Sequence, residues 1–184
     1  MPTKTPENIF QRIELGRTGK GRDSRSTLKK PIDVERIQRT YDLGVNKAEY
    51  LKNIELINLL GALKKWITYP RDVQGEKVGE IINEARASAI RIRELLLQAN
   101  RDLKTYGERL LPNGQLPPRD TMQMLRICTR YLQMTDIVDE ALNEFELITP
   151  PREYDKRILV MEQVQNVYGR FLAKWNAIHK ATQA

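Results

Sequence analysis

Hydrophobic residues recur every three or four positions over most of the chain, which is typical of helices that bury one face. The longest regular series occupies residues 76–106, where nine apolar residues alternate in steps of four and three. They are Val78, Ile82, Ala85, Ala89, Ile92, Leu96, Ala99, Leu103 and Tyr106. This spacing predicts a helix about 46 Å long that packs along a heptad seam.

Three further long helices are predicted from the same periodicity. The first runs from about Asn46 to Tyr69 and is predicted to bury Tyr50, Ile54, Ile57, Leu60, Leu63 and Ile67. A helix after the loop at Pro112–Pro118 is predicted to bury Met124, Ile127, Tyr131, Met134, Val138, Ala141, Phe145 and Ile148. The last, about 152–181, is predicted to bury Tyr154, Ile158, Met161, Val164, Tyr168, Phe171, Trp175 and Ile178.

Two short helices are predicted ahead of these. One begins at Pro6, which follows the N-cap residue Thr5, and occupies about 6–15 with Ile9, Phe10 and Ile13 on one face. The other begins near Pro31, places Val34, Ile37 and Tyr41 on one face, and is predicted to end at Gly44.

No segment alternates with period two, so the fold class is all-α. The prediction is an antiparallel four-helix, coiled-coil-like bundle over residues 46–184, preceded by a basic N-terminal arm, residues 1–45, that carries the two short helices. The connector Thr149–Pro151 is so short that the last two helices are expected to be antiparallel neighbours.

The net charge of the 184 residues is +7, and most of it lies in the arm. Residues 1–30 hold eight Lys and Arg against three Asp and Glu, and glycines separate several of the basic residues. Such a segment is either a solvated tail or a phosphate-binding arm that displaces counterions from a polyanion. On the second interpretation the nucleic-acid-binding residues are Arg12, Arg17, Lys20, Arg22, Arg25, Lys29 and Lys30.

Most catalytic classes are excluded by composition. With one cysteine, Cys128, and one histidine, His179, the chain has no disulfide framework and no multi-cysteine zinc site. A di-iron bundle needs Glu-x-x-His pairs, whereas the residue three before His179 is Asn176. Gly19-Lys20 is not a P-loop, because position 14 is Glu and position 21 is Gly. We therefore expect no enzyme activity, no catalytic residue, no metal site and no cofactor.

Charged residues on the long helices leave alternatives open. The acids Asp136, Asp139, Glu140, Glu144 and Glu146 favour a solvated outer face over general acid–base chemistry or Mg²⁺ binding, and they could also meet a neighbouring subunit's arm. Two pairs of arginines are spaced to face a phosphate backbone or to form ordinary salt bridges. They are Arg86 with Arg93, and Arg126 with Arg130.

The organisation of the chain resembles the nucleocapsid coat proteins of filamentous viruses of archaea. The resemblance rests on the basic segment Arg17–Lys30, the short helices at Pro6 and Pro31, and the bundle from Asn46 to Ile178. It implies that arms of paired subunits wrap duplex DNA while bundles pack outward into a tube. A bacteriophage virion protein would share this organisation. The expected partners are nucleic acid, duplex DNA before RNA, and copies of the chain itself.

Three functions therefore compete. The first is a self-assembling virion or nucleocapsid subunit that binds nucleic-acid backbone without sequence specificity. The second is a helical subunit of an intracellular ribonucleoprotein, because the basic bundle also resembles the small subunits of CRISPR effector complexes. The third is an adaptor that binds only protein. The longest apolar runs are too short to span a bilayer, and Met1–Gly16 lacks a signal-like apolar stretch, so we expect a virion or cytoplasmic location.

Overall fold

The computed structural model describes residues 30–69, 75–111, 113–150 and 153–183, and over these the chain is all-helical with no strand. Helix α1 comprises Val34–Tyr50, a π-helical turn Leu51–Glu55 and Leu56–Thr68, which follow one another without a break. Helix α2 is Gly75–Leu110, α3 is Arg119–Glu146 and α4 is Tyr154–Gln183. The all-α prediction is confirmed. The predicted short helix at 6–15 lies outside the described residues.

Helix α1 differs from the sequence prediction at its centre. It begins as expected after Pro31, where the Asp33 carboxylate caps the helix by accepting a hydrogen bond of 2.9 Å from the Arg36 backbone N–H. The predicted helix end at Gly44 is wrong, because Gly44 is buried in mid-helix. A Cβ there would stand 2.9 Å from Leu96 Cδ2, so this glycine allows α2 to approach closely. The boundary predicted between residues 45 and 46 falls inside α1.

The π-helical turn also changes which face of α1 is buried. Up to the first residue of the turn, the buried positions are Ile37, Gln38, Tyr41, Gly44, Ala48 and Leu51; after the turn they are Leu56, Leu59, Leu63 and Ile67. The step from Leu51 to Leu56 is five residues instead of three or four. The predicted burial of Tyr50, Ile54 and Ile57 is therefore wrong: their exposed fractions are 56%, 42% and 50%.

Helix α2 is the element that the sequence predicted best. All nine residues of its predicted seam are buried, from Val78 to Tyr106. Three of the nine are alanines, which keep the neighbouring helices close. After α2 the predicted loop is confirmed, and Asn113 and Gly114 adopt the left-handed conformation with φ of 36° and 83°.

The faces predicted for α3 and α4 are confirmed only in part. On α3, Met124, Tyr131, Met134, Val138, Ala141 and Phe145 are buried as expected, but Thr121, Cys128, Thr135 and Leu142 are buried too. These widen the face, and Ile127 and Ile148 lie at its edge, half-buried. On α4, Val164, Phe171 and Trp175 are buried, whereas Tyr154 and Ile158 are exposed near the start of the helix.

The four helices pack against one another around one hydrophobic core. Helix α2 contacts α1 and α3, and α4 contacts α3 and the second half of α1. Residues early in α1 lie against residues late in α2, as Arg36 and Asp102 do at 3.5 Å, while Glu55 meets Ser88 further along. Likewise Gly107 of α2 lies beside Pro117 and Thr121 at the start of α3.

Candidate functional site

The predicted nucleic-acid-binding residues of the arm fall almost entirely outside the described part of the chain. These are Arg12, Arg17, Lys20, Arg22, Arg25 and Lys29. Lys30 is described and exposed, and its backbone carbonyl accepts a hydrogen bond of 2.6 Å from Arg109 Nη1 in the last turn of α2. This contact fixes the point at which the arm joins the helices. We call this the proximal end, comprising residues 30–36, 106–111 and 117–122.

A row of arginines on α3 begins at the same end of the molecule. Arg119, Arg126 and Arg130 line a surface groove of about 390 Å³ together with Leu116, Met122, Gln123, Ile127 and Ala181. Their spacing of seven and four residues places them along one side of the helix. We call these three residues the arginine row. At 1.5 Å per residue the row is about 16 Å long.

None of the three arginines forms a side-chain hydrogen bond or an ion pair within the described residues, although charged side chains surround them on other faces of α3. Arg119 and Arg126 are exposed, and Arg130 is half-buried beside Ile127. Guanidinium groups carry a permanent charge and a planar set of donors that matches phosphate oxygens. The groove therefore presents three cationic groups available to an anionic ligand.

The acidic half of α3 behaves differently, because each of its five acids is paired within the molecule. Asp136 pairs with Arg93, and Arg86 lies 4.0 Å from Asp139 and 2.8 Å from Glu146. On the opposite side Glu140 and Glu144 pair with two basic residues of α4, Lys174 and Arg170. These acids lie on an exposed face and connect α3 to both α2 and α4.

The pairing resolves the alternative that the sequence left open for the arginines. Arg86 and Arg93 are salt-bridge partners, and Arg86 also donates a hydrogen bond of 3.0 Å to Asn143 Oδ1. Arg126 and Arg130 have no such partner in the part of the chain that the structure describes. Exposed pairs of this kind contribute about 0–1 kcal/mol each, but they neutralise the acidic half of α3. The arginine row forms no ion pair within the described residues, and the one acid in its half of α3 is Asp120.

One polar cluster, which no pattern in the sequence indicated, joins α1, α3 and α4. Glu49 accepts a hydrogen bond of 2.8 Å from the Tyr131 hydroxyl and lies 3.2 Å from Lys52 Nζ. His179 Nδ1 lies 3.7 Å from the same carboxylate. Lys52 also stands over the ring of Trp175, 5.4 Å from its centroid. These contacts connect side chains of three helices.

Cys128 is buried close to Tyr41 of α1, a common position for a cysteine that acts as a small hydrophobic residue. Burial raises the pKa of the Cys128 thiol to about 12. Burial likewise raises the pKa of Tyr131, and the hydrogen bond to Glu49 raises it further. The thiol is therefore protonated at neutral pH, which is the opposite of what a cysteine nucleophile needs.

Among the residues that the structure describes, no group of three or more His, Cys, Asp or Glu side chains is placed to hold a metal ion. None of the described helices combines the length and the apolar character needed to cross a bilayer.

No protein-family model, no curated protein and no solved structure matches this chain.

Proposed function

We propose that this protein is a structural subunit that binds the backbone of nucleic acid without sequence specificity and assembles with copies of itself, as a virion or nucleocapsid protein does. The observation that carries the proposal is the partition of charge on α3. The five acids of its second half are paired with α2 and α4, whereas the arginine row in its first half, which holds one acid, Asp120, has no ion-pair partner among the described residues. A surface of this kind suits a polyanion.

The position of the arm supports the same proposal. Lys30 joins the helices at the proximal end, where the arginine row begins. The six arm residues that sequence analysis selects between Arg17 and Lys30 can therefore act on the same strand as Arg119, Arg126 and Arg130. Because a duplex presents one phosphate for about every 1.7 Å of its axis, the row alone spans several phosphates.

We further infer that the four helices form an antiparallel bundle that acts as a rigid body behind the arm. Along each pair of neighbouring helices, residue numbers rise on one helix as they fall on the other. The contacts that show this are Arg36–Asp102 and Glu55–Ser88, Arg93–Asp136 and Arg86–Glu146, and Glu140–Lys174 and Glu144–Arg170. In this proposal the arm and the arginine row grip the phosphates, and no element is placed to read base edges. Duplex DNA is the favoured partner.

The salt dependence of DNA binding tests this function. Each phosphate contact contributes about −0.9 to the slope of log affinity against log salt, so six arm residues and the arginine row together predict a slope near −8. Changing Arg119, Arg126 and Arg130 to Gln should make the slope shallower by about 2.7. Changing Arg17, Arg22 and Arg25 to Gln should have an effect of similar size.

The matched control changes Lys65, Lys77 and Lys104 to Gln. These lysines are exposed on α1 and α2, and the variant alters the net charge by the same amount. It should change the slope by less than about 0.9, the contribution of one phosphate contact. Scrambling the DNA sequence should change the affinity little. A chain that ignores both duplex and single-stranded nucleic acid at about 0.1 M salt contradicts the proposal. Stronger binding to RNA than to duplex DNA would favour the ribonucleoprotein function.

A second candidate function is the protein-only adaptor, and one observation favours it. Tyr50, Ile54 and Ile57 form an apolar face on α1 and are 56%, 42% and 50% exposed. An adaptor would bind no DNA and would lose its partner when this face is changed. Electron micrographs of the purified protein with and without DNA separate the two, because a packaging subunit forms filaments or rings and an adaptor does not.

A further inference from the structure

A second groove lies between α1 and α2, away from the arginine row. It has a volume of about 660 Å³. It is lined by Tyr50, Glu55 and Asn58 of α1 and by residues of α2 that are mostly small or apolar, among them Ile81, Ala85, Ala87 and Ser88. Ile54 lies one turn from both Tyr50 and Asn58 on the same side of α1, and Ile57 is next to it. The apolar face that the π-helical turn exposes thus borders this groove.

We propose that this groove binds residues 6–15 of the same chain. That segment is predicted from the sequence to be a short helix with Ile9, Phe10 and Ile13 on one face. A helix this short is marginal in water unless its apolar face packs against something. The groove offers an apolar surface to that face. The α2 side of the groove also carries one acid and one base, Glu84 and Arg91. The segment likewise carries both signs of charge, in Glu7, Arg12 and Glu14.

The lengths of the segment and of the groove agree. Ten residues of helix span about 15 Å, and so does the stretch of α2 from Ile81 to Arg91 that lines the groove. Ile9, Phe10 and Ile13 lie within two turns of one another. They can therefore contact the groove together with Ile54 and Ile57.

The chain between residue 15 and Lys30 is long enough for the segment to reach the groove. Lys30 is fixed by Arg109, and Arg91 lies 18 residues before Arg109, which is about 27 Å along α2. Residues 16–29 can span at most about 46–50 Å when extended. A linker of this length holds the segment at an effective concentration in the millimolar range. The segment of the same chain therefore has an advantage over a second copy or a free partner.

Limited digestion with trypsin, in the absence of nucleic acid, tests the proposal on the full chain. Arg12 lies inside the bound segment and Arg22 lies outside it, so one chain contains both the probe and its reference. We expect cleavage after Arg12 to be at least about tenfold slower than after Arg22, because cleavage follows the population of the open form. The double variant Ile54→Asp with Ile57→Asp should bring the two rates within about twofold.

The control is Ile158→Asp with Leu159→Asp, two equally exposed apolar residues on α4, which should leave Arg12 protected. From the other side of the contact, Ile9→Asn with Ile13→Asn should remove the protection without changing the groove. Circular dichroism checks that each variant remains helical, and the substituted α1 and α4 residues are all exposed. Because no nucleic acid is present, the result is independent of the proposed function.

Two outcomes would overturn the proposal. Equal cleavage after Arg12 and Arg22 in the unchanged protein means that the segment is not bound. Protection that disappears on dilution, together with a dimeric mass in light scattering, means that the groove holds the segment of a second copy instead.

Discussion

Two glycines in α1 show that the structural role of a glycine depends on the atoms that surround it. Gly44 is buried, and a Cβ there would stand 2.9 Å from Leu96 Cδ2 and 3.2 Å from Leu96 Cγ. Gly61 is exposed and has no atom within 4 Å of the corresponding position. The sequence pattern predicts Gly44 at the end of a helix and Gly61 inside one, whereas the structure places both inside α1. The first permits close packing, and the second only lowers the stability of the helix.

This difference predicts opposite effects for the same substitution. Gly61→Ala should raise the free energy of unfolding by about 0.5–1 kcal/mol, the usual gain of alanine over glycine in a helix. Gly44→Ala should lower it, because overpacking a tight contact costs about 1–3 kcal/mol and exceeds that gain. Urea denaturation of the two variants, which differ only in position along one helix, measures both. A Gly44→Ala protein as stable as Gly61→Ala would mean that Leu96 can move aside freely.

The arginines of α2 and α3 show the limit of what spacing along a sequence reveals. Spacing alone does not distinguish a salt-bridge partner, such as Arg86 of α2, from a candidate phosphate contact, such as Arg126 of α3. The distinction comes from other helices: Asp139 and Glu146 reach Arg86, whereas no described acid reaches Arg126. Pairing across helices is a property of the packed molecule. The arginines that are candidates for phosphate contact could therefore be identified only from the three-dimensional structure.

At the scale of elements, periodicity predicted helices well and their phase less well. The seam of α2 is confirmed residue for residue, because a regular heptad series has one buried face. In α1 the five-residue step from Leu51 to Leu56 interrupts the series. A prediction that uses steps of three and four throughout this region cannot follow both halves of the buried face. It selects Tyr50, Ile54 and Ile57, which are exposed.

The π-helical turn can be tested by removing one residue. Deleting Asn53 would leave buried positions spaced by four and three along the whole of α1, so we expect an uninterrupted α-helix and a folded protein. Deleting Asn58, also exposed and on the same helix, would rotate Leu59, Leu63 and Ile67 by about 100° away from the core. Thermal unfolding followed by circular dichroism should show a cooperative transition for the first variant.

For the second variant we expect a loss of cooperativity or a much lower transition temperature. Equal damage from both deletions would mean that the wide turn is needed for packing and is not a one-residue insertion tolerated by the helix. In that case the exposed face of Ile54 and Ile57 would follow from a requirement of the core.

At the scale of the whole molecule, the four described helices contain one core, and its buried residues run from Ile37 to Trp175. We predict that deleting residues 1–29 leaves these helices folded, with the helical signal per residue retained or raised. Lys30 is kept because its carbonyl bonds to Arg109. A cooperative loss of helix in circular dichroism would show that the core extends into the deleted segment.

The place where the arm joins the helices determines how the protein carries mechanical load. Lys30 is held by Arg109, and Arg36 by Asp102, and α1 then runs on past Ile37 and Tyr41 into the core. A force applied to the arm along the axis of α1 is therefore resisted by the contacts along the packed side of this long helix. To yield, α1 has to slide past α2 and α4, which loads many contacts together in shear. A helix anchored in this way resists being peeled from the core when its N-terminal end is pulled.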